Sequence, residues 1–229
     1  MEHVSRFAKY QLSRFSAAVL IFYIAVVVIA IVTSFAGASG EFNGGSALLA
    51  FILGLNCFKT SFLFSQANNI SRRSFYLATL LAILALAAAL SLADLVVYGV
   101  LGPVIEYQTF QFMNVYQMTD LTRFLWAAAA LTLSASLGWM ITMLYYRANS
   151  ITKVFISLSP FAVASAYGYF NNLTAGRLAL SFERFALNAL GLAGGMPNPY
   201  TAMLSLALVA IVIWTLNCLL MYKTPVKAH

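Results

Sequence analysis

Several groups of side chains in this sequence are of types that do chemistry. The first is Gly37-Ala38-Ser39-Gly40, which has the glycine-flanked serine of an intramembrane serine hydrolase. A serine nucleophile needs a base within hydrogen-bond reach. The only histidines are His3 and His229, both expected across the membrane from that serine, so the match is chance. Cys57 and Cys218 lie in apolar runs and read as small packing residues in reducing surroundings, not as a disulfide or metal pair. No His/Cys/Asp/Glu group has metal-ligand spacing, and no closely spaced acids suggest a phosphotransferase or metalloprotease. No Gly-x-x-x-x-Gly-Lys-Ser/Thr phosphate loop occurs either. Asn172-Leu173-Thr174 is a glycosylation sequon with meaning only in a eukaryotic secretory setting. Enzymatic work and a bound cofactor are not expected of this chain.

Four other groups suit recognition rather than bond-making. Gln66-Ala67-Asn68-Asn69-Ile70-Ser71-Arg72-Arg73 is basic and dense in hydrogen-bonding groups, with Phe62 and Phe64 before it and Phe75 and Tyr76 after. Ser71 suits a helix N-cap, and Asn68-Asn69 tolerate turn geometry. Such a segment is either an ordinary basic loop or a protrusion that docks into a partner. Near the N-terminus Val4, Phe7, Ala8, Leu12 and Phe15 share one helical stripe, with Arg6, Lys9 and Ser13 opposite and Arg14 following. That pattern predicts a helix in the headgroup layer, serving as an anchor or as a lever. Further on, Arg177, Ser181, Arg184 and Asn188 make a polar stripe against Leu178, Phe182, Phe185 and Ala189. A second amphipathic helix is expected there, with Arg177 and Arg184 toward anionic headgroups or an anionic substrate. Finally, Asp94 shares a helix face with Ser91 and Tyr98. It either reaches the outer interface, paired with Arg123, or belongs to a polar face lining a subunit interface or exit path.

The elements that must position these groups follow from composition. Of 229 residues, 62% are hydrophobic and 8% charged, against about 25% charged in a soluble domain. Lipid is the only solvent that suits such a chain. Long continuous apolar runs, rather than short alternating ones, select helices over a barrel. Six runs approach or exceed the roughly 20 residues that cross a bilayer: Phe15–Phe35, Ala47–Phe64, Phe75–Val100, Phe124–Tyr146, Ile151–Tyr169 and Ala202–Met221. Lys59 falls inside the second and must snorkel. Pro160 should kink the fifth, Gly102-Pro103 ends the third, and the turn from Gly194 to Pro199 precedes the last.

The expected fold class is therefore all-α, a single polytopic domain over residues 1–229. It comprises an interfacial helix over 1–14, a six-helix bundle over 15–221 and a tail over 222–229. The start of the chain does not read as a cleavable signal peptide. Arg6, Lys9, Arg14, Lys59, Arg72, Arg73, Arg147, Lys153, Lys223 and Lys227 fall on one side, against Arg123, Arg177 and Arg184 on the other. The positive-inside rule then predicts both termini in the cytoplasm. The net charge of +7 thus reads as topology, not as a nucleic-acid surface.

An amphipathic basic N-terminal helix, six spans, the inner loop Asn69-Ile70-Ser71-Arg72-Arg73-Ser74-Phe75-Tyr76 and a long outer stretch before the last span together resemble the membrane (permease) subunit of bacterial type-2 ATP-binding-cassette exporters. Members often carry Gly where Asn69 stands, and Asn is the next best residue for left-handed backbone. The resemblance implies that residues Gln66 to Arg73 form a coupling helix docking on an ATPase, with Arg6 and Lys9 nearby. It also implies re-entrant helices in the outer stretch. ATP and Mg would be bound by two copies of the partner ATPase, and the permease would pair with a second permease, identical or homologous. The near absence of intramembrane charge apart from Asp94 agrees with an energy source outside this chain. A gradient-driven transporter or channel and a non-transporting membrane protein are the alternatives.

Overall fold

A computed structural model of the chain describes residues 2–35, 41–43, 45–101, 106–108, 115–194, 196–222 and 224. The serine of Gly37-Ala38-Ser39-Gly40, the Gly102-Pro103 helix stop, Gly195, Lys223, Lys227 and His229 lie outside them.

Eight helices are described: α1 (Glu2–Phe35), α2 (Gly45–Asn56), α3 (Lys59–Ala67), α4 (Arg72–Leu101), α5 (Asp120–Arg147), α6 (Ser150–Leu173), α7 (Arg177–Ala189) and α8 (Pro199–Tyr222). Six stretches are long and apolar enough to cross a membrane, namely α1, α2 with α3, α4, α5, α6 and α8. The chain is an all-α, multi-pass membrane protein. Two three-residue strands, β1 (Glu41–Asn43) and β2 (Glu106–Gln108), pair in parallel between the connections that follow α1 and α4.

Local chemistry sets several boundaries. Thr119 caps α5 by accepting from the Thr122 amide, and Asp120 and Arg147 complement the dipole at its two ends. Asn149 caps α6 through the Thr152 amide at 2.8 Å. Where the sequence predicts an interfacial helix ending at residue 14, α1 instead runs unbroken through Phe15 for 34 residues. Nothing between Ser13 and Ser16 supplies a cap, glycine or proline to stop it. The second span is divided at Cys57-Phe58, where the Cys57 amide bonds back only three residues to Gly54. The break turns Phe58 and Phe62 into the core and leaves Lys59 exposed. The helical path of α6 continues through Pro160.

The core centres on α5, which packs on α2, α4 and α8. At its crossing with α2 the backbones touch. A Cβ on Gly54 would lie 2.1 Å from the Ala135 carbonyl oxygen, and one on Gly138 2.2 Å from that of Phe51. Thr142 Oγ1 donates to the Leu55 carbonyl at 2.6 Å beside them. Such close approach through small residues is how helices gain contact in a solvent as apolar as themselves. Trp214 of α8 donates to Ser136 Oγ at 2.8 Å, and Tyr76 of α4 donates to the Trp214 carbonyl at 2.8 Å. By contrast, no residue of α6 or α7 is buried.

Candidate functional site

The turn between α3 and α4 lies at the end of the bundle where α1 begins and α8 finishes. Its backbone is set by two local devices. Asn69 is left-handed at φ 54°, with its amide bonded to the Gln66 carbonyl at 3.1 Å and the next amide, Ile70, to Ser65 at 2.9 Å. This pair of bonds is a Schellman ending, and Ile70 makes the apolar contact that accompanies it by packing against the core. Two residues later Ser71 Oγ accepts from the Ser74 amide at 3.1 Å and starts α4. The turn chemistry anticipated for Asn69 and Ser71 is the one observed.

The eight loop residues divide by what they do. Ala67, Asn68, Asn69, Ser71 and Arg73 are exposed. Gln66 folds inward and donates to the Ile70 carbonyl at 3.3 Å. Arg72 is half-buried, and its Nη1 donates to the Tyr222 carbonyl at 2.8 Å. Arg147 reaches the Leu220 carbonyl from α5 at 3.4 Å. Two guanidiniums thus grip the C-terminal carbonyls of α8, where the helix dipole favours positive charge. Asn68, Asn69 and Arg73 are therefore on the outward face of the loop, while Gln66, Ile70 and Arg72 hold its shape.

Behind the turn lies an aromatic block. Phe58 and Phe62 stack at 5.0 Å, Phe75 meets Phe62 edge-on at 5.5 Å, and Tyr146 of α5 meets Phe58 at 5.4 Å. From α1, Phe7 packs on Phe75 at 5.6 Å and Tyr10 stacks on Phe64 at 4.8 Å. The expected apolar stripe of α1 is real, with Phe7, Ala8 and Phe15 buried in this block. Arg6, Lys9 and Arg14 are exposed on the rest of the helix. Gln11, which the pattern of apolar residues passed over, is fully buried and donates to Thr79 Oγ1 at 3.2 Å. Rigid rings in contact across α1, α3, α4 and α5 make the turn, the N-terminal helix and the core one mechanical piece.

Asp94 lies in the other half of the bundle and is 3% exposed. Tyr23 of α1 donates to its Oδ1 at 2.8 Å and Ser46 of α2 at 2.6 Å. It therefore ties α1, α2 and α4 together. Arg123 stacks over the Tyr98 ring at 3.9 Å, and Ser91 donates to the Phe124 carbonyl at 2.6 Å. A direct meeting of Asp94 with lipid or substrate would require this knot to open.

At the same end, α7 is the amphipathic helix expected. Arg177, Ser181, Arg184 and Asn188 are all exposed, as are Phe182 and Phe185. Left-handed Ala175 and Gly176 turn the chain out of α6. Asn171 Oδ1 then accepts from the Ala179 amide at 2.9 Å. A second Schellman ending, with Gly191 at φ 66°, closes α7. A side chain at Gly191 would collide with the Asn198 carbonyl oxygen at 2.4 Å. Tyr116 donates to the Leu190 carbonyl at 2.6 Å and Ser205 of α8 to that of Ala189 at 2.5 Å. Burial raises the Tyr116 pKa, so the phenol stays a donor until strongly alkaline pH.

Compared with protein-family models, characterised proteins and solved structures, the chain matches none.

Proposed function

We propose that this protein is the membrane-spanning permease subunit of an ATP-driven exporter, working with a separate ATPase subunit that docks on the α3–α4 turn. The observation that carries this is the build of that turn: a short elbow, closed by two capping motifs, with Asn68, Asn69 and Arg73 presented outward and an aromatic block behind them. The ring contacts Tyr10–Phe64 and Phe58–Tyr146 give a load applied to the turn a packed route into α1 and α5. A free surface loop needs no such backing. The excess of Lys and Arg at this end of the bundle supports a cytoplasmic location for it and for both termini, with α7 on the outer face. The ATP and Mg belong to the ATPase, and two permeases with two ATPases form the unit. Few charges and many aromatic residues in the spans favour an amphiphilic cargo, such as a peptide, an antibiotic or a lipid-like compound.

The test is to purify the tagged protein in mild detergent and identify what co-elutes. An ATPase in comparable amount is expected. Replacing Asn68-Asn69 and Arg73 by Gly-Gly and Ser should release it while leaving membrane insertion intact. Retention of the ATPase by that variant would remove the turn as its dock. A gradient-driven carrier is the second reading, favoured by the buried carboxylate of Asp94. It predicts that Asp94→Asn abolishes transport in vesicles that hold no ATPase.

A further inference from the structure

α5 and α8 run side by side in the same direction. Their starts meet around a pocket lined by Thr119, Thr122, Asn198 and Pro199, and near their ends Arg147 reaches the Leu220 carbonyl. Between these points Trp214 Nε1 donates to Ser136 Oγ, which sets residues of α8 level with residues 78 positions earlier on α5. The buried residues of α8 include Ala202, Ala210, Ile213, Asn217 and Met221, a single helical stripe turned chiefly toward α5. Asn217 is out of place in that stripe. It is fully buried, and neither amide atom has a hydrogen-bond partner among the described residues. An amide so placed keeps its desolvation penalty without return. A bridging water needs a cavity beside the amide, and neither atom is accessible enough to border one.

The bonds that hold α8 in place do not fix its height. Tyr76 donates to the Trp214 carbonyl, Arg147 to that of Leu220 and Arg72 to that of Tyr222. Carbonyls return to the same face of a helix every turn, so these donors meet equivalent acceptors if α8 moves by one turn. The exception is Trp214 with Ser136, and it has a substitute. Thr132 stands one turn earlier on α5 and is also buried. Moved one turn toward its own start, α8 brings Trp214 level with Thr132 and Asn217 level with Ser136. Ser136 Oγ can then accept from Asn217 Nδ2 while it still donates to the Thr132 carbonyl at 2.6 Å. Met221, an adaptable side chain, comes level with Trp139. Moved the other way, Asn217 meets only Met143, so one direction alone gives it a partner.

We infer that α8 has two seats on α5, one turn apart. In the first, seen here, Trp214 is bonded to Ser136 and Asn217 is unpaired. In the second, Trp214 is bonded to Thr132 and Asn217 to Ser136. Helices packed on one another do make one-turn jumps of this kind. The slip needs neither an ATPase nor a cargo, so it stands or falls apart from the exporter reading.

Pulsed electron-spin distance measurement in lipid nanodiscs tests it, in a chain carrying Cys57→Ala and Cys218→Ala. Spin labels go on Leu204→Cys, near the start of α8, and Leu77→Cys, near the start of α4, both exposed positions at opposite ends of the bundle. Two distances about 5 Å apart, one helical pitch, are expected. Asn217→Leu and Thr132→Val each remove a bond of the second seat only, so each should lower the longer-distance fraction about tenfold. A single distance, or a longer fraction unchanged by either substitution, overturns the slip. A swing of the Asn217 amide toward Trp139 gives a single distance and so counts against it. If the cysteine-free chain does not fold, fluorine NMR of the chain with its own cysteines and 5-fluorotryptophan asks the same question. It has three tryptophans, and Trp214→Phe assigns the signal. Two Trp214 lines are expected, and one in each of Asn217→Leu and Thr132→Val. One line in the unaltered chain, or two that survive either substitution, overturns the proposal.

Discussion

The crossing of α2 with α5 and the α6–α7 wing are made from the same apolar alphabet, yet they are held in opposite ways. At the crossing, Gly54 and Gly138 bring backbones into contact and Thr142 adds a hydrogen bond between the helices. In the wing no side chain is buried, and among the described residues its hydrogen bonds to α5 and α8 are those of Ser157 and Ala189. The difference teaches that hydropathy decides which segments enter the membrane but not which of them pack together. Small residues, caps and single polar bonds decide that. One region carries its own stability, and the other takes its place from what surrounds it.

Substitutions should break this contrast in graded steps. The largest effect is expected for Gly54→Val or Gly138→Val, since the new side chain meets backbone that cannot move aside. A loss of about 3 kcal/mol, at the upper end of overpacking costs, should appear as a collapsed melting temperature in detergent. Asp94→Ala should follow, at about 2 kcal/mol, because it removes the buried acceptor that Tyr23 and Ser46 share inside the bundle. Asp94→Asn keeps an acceptor and should cost less, which chemical denaturation of the two variants would resolve. Asn69→Val puts a β-branched residue at positive φ and should cost about 1–2 kcal/mol, whereas Asn69→Gly should be neutral or slightly stabilising.

Asn217 sharpens the comparison from the other direction. It is fully buried on α8, and neither its Nδ2 nor its Oδ1 has a hydrogen-bond partner among the described residues. Asn217→Leu should therefore raise stability by about 1 kcal/mol, seen as an increased melting temperature. In the wing, Phe161→Ala should change the stability of a detergent-isolated monomer by less than about 0.5 kcal/mol, although the same change in the core would cost several times more.

Much of the architecture was legible because membrane crossing is a matter of run length, and the runs from Phe15 to Met221 are long. Turn chemistry was legible for the same local reason: Asn69 and Ser71 act on amides within four residues of themselves. The division of the second span at Cys57-Phe58 was not, since neither proline nor glycine marks it. Nor was the role of Arg72, whose acceptor lies 150 residues away on Tyr222. Asp94 could be flagged as a buried-charge candidate, but its partners Tyr23 and Ser46 come from two other helices. The amphipathic stripe of α1 was visible, but not that it faces a block of rings from α3, α4 and α5 or that the helix runs on without a boundary at residue 14.

On the exporter proposal, the α3–α4 turn is where work enters the protein from a separate ATPase. A photo-crosslinking amino acid placed at Asn68 in intact membranes tests it most directly, with adducts identified by mass spectrometry. An adduct with an ATP-hydrolysing chain, lost when the reporter is moved to Leu208, is the expected result. Adducts with lipid or with no protein at all at Asn68, in membranes where the protein is transporting, would contradict it.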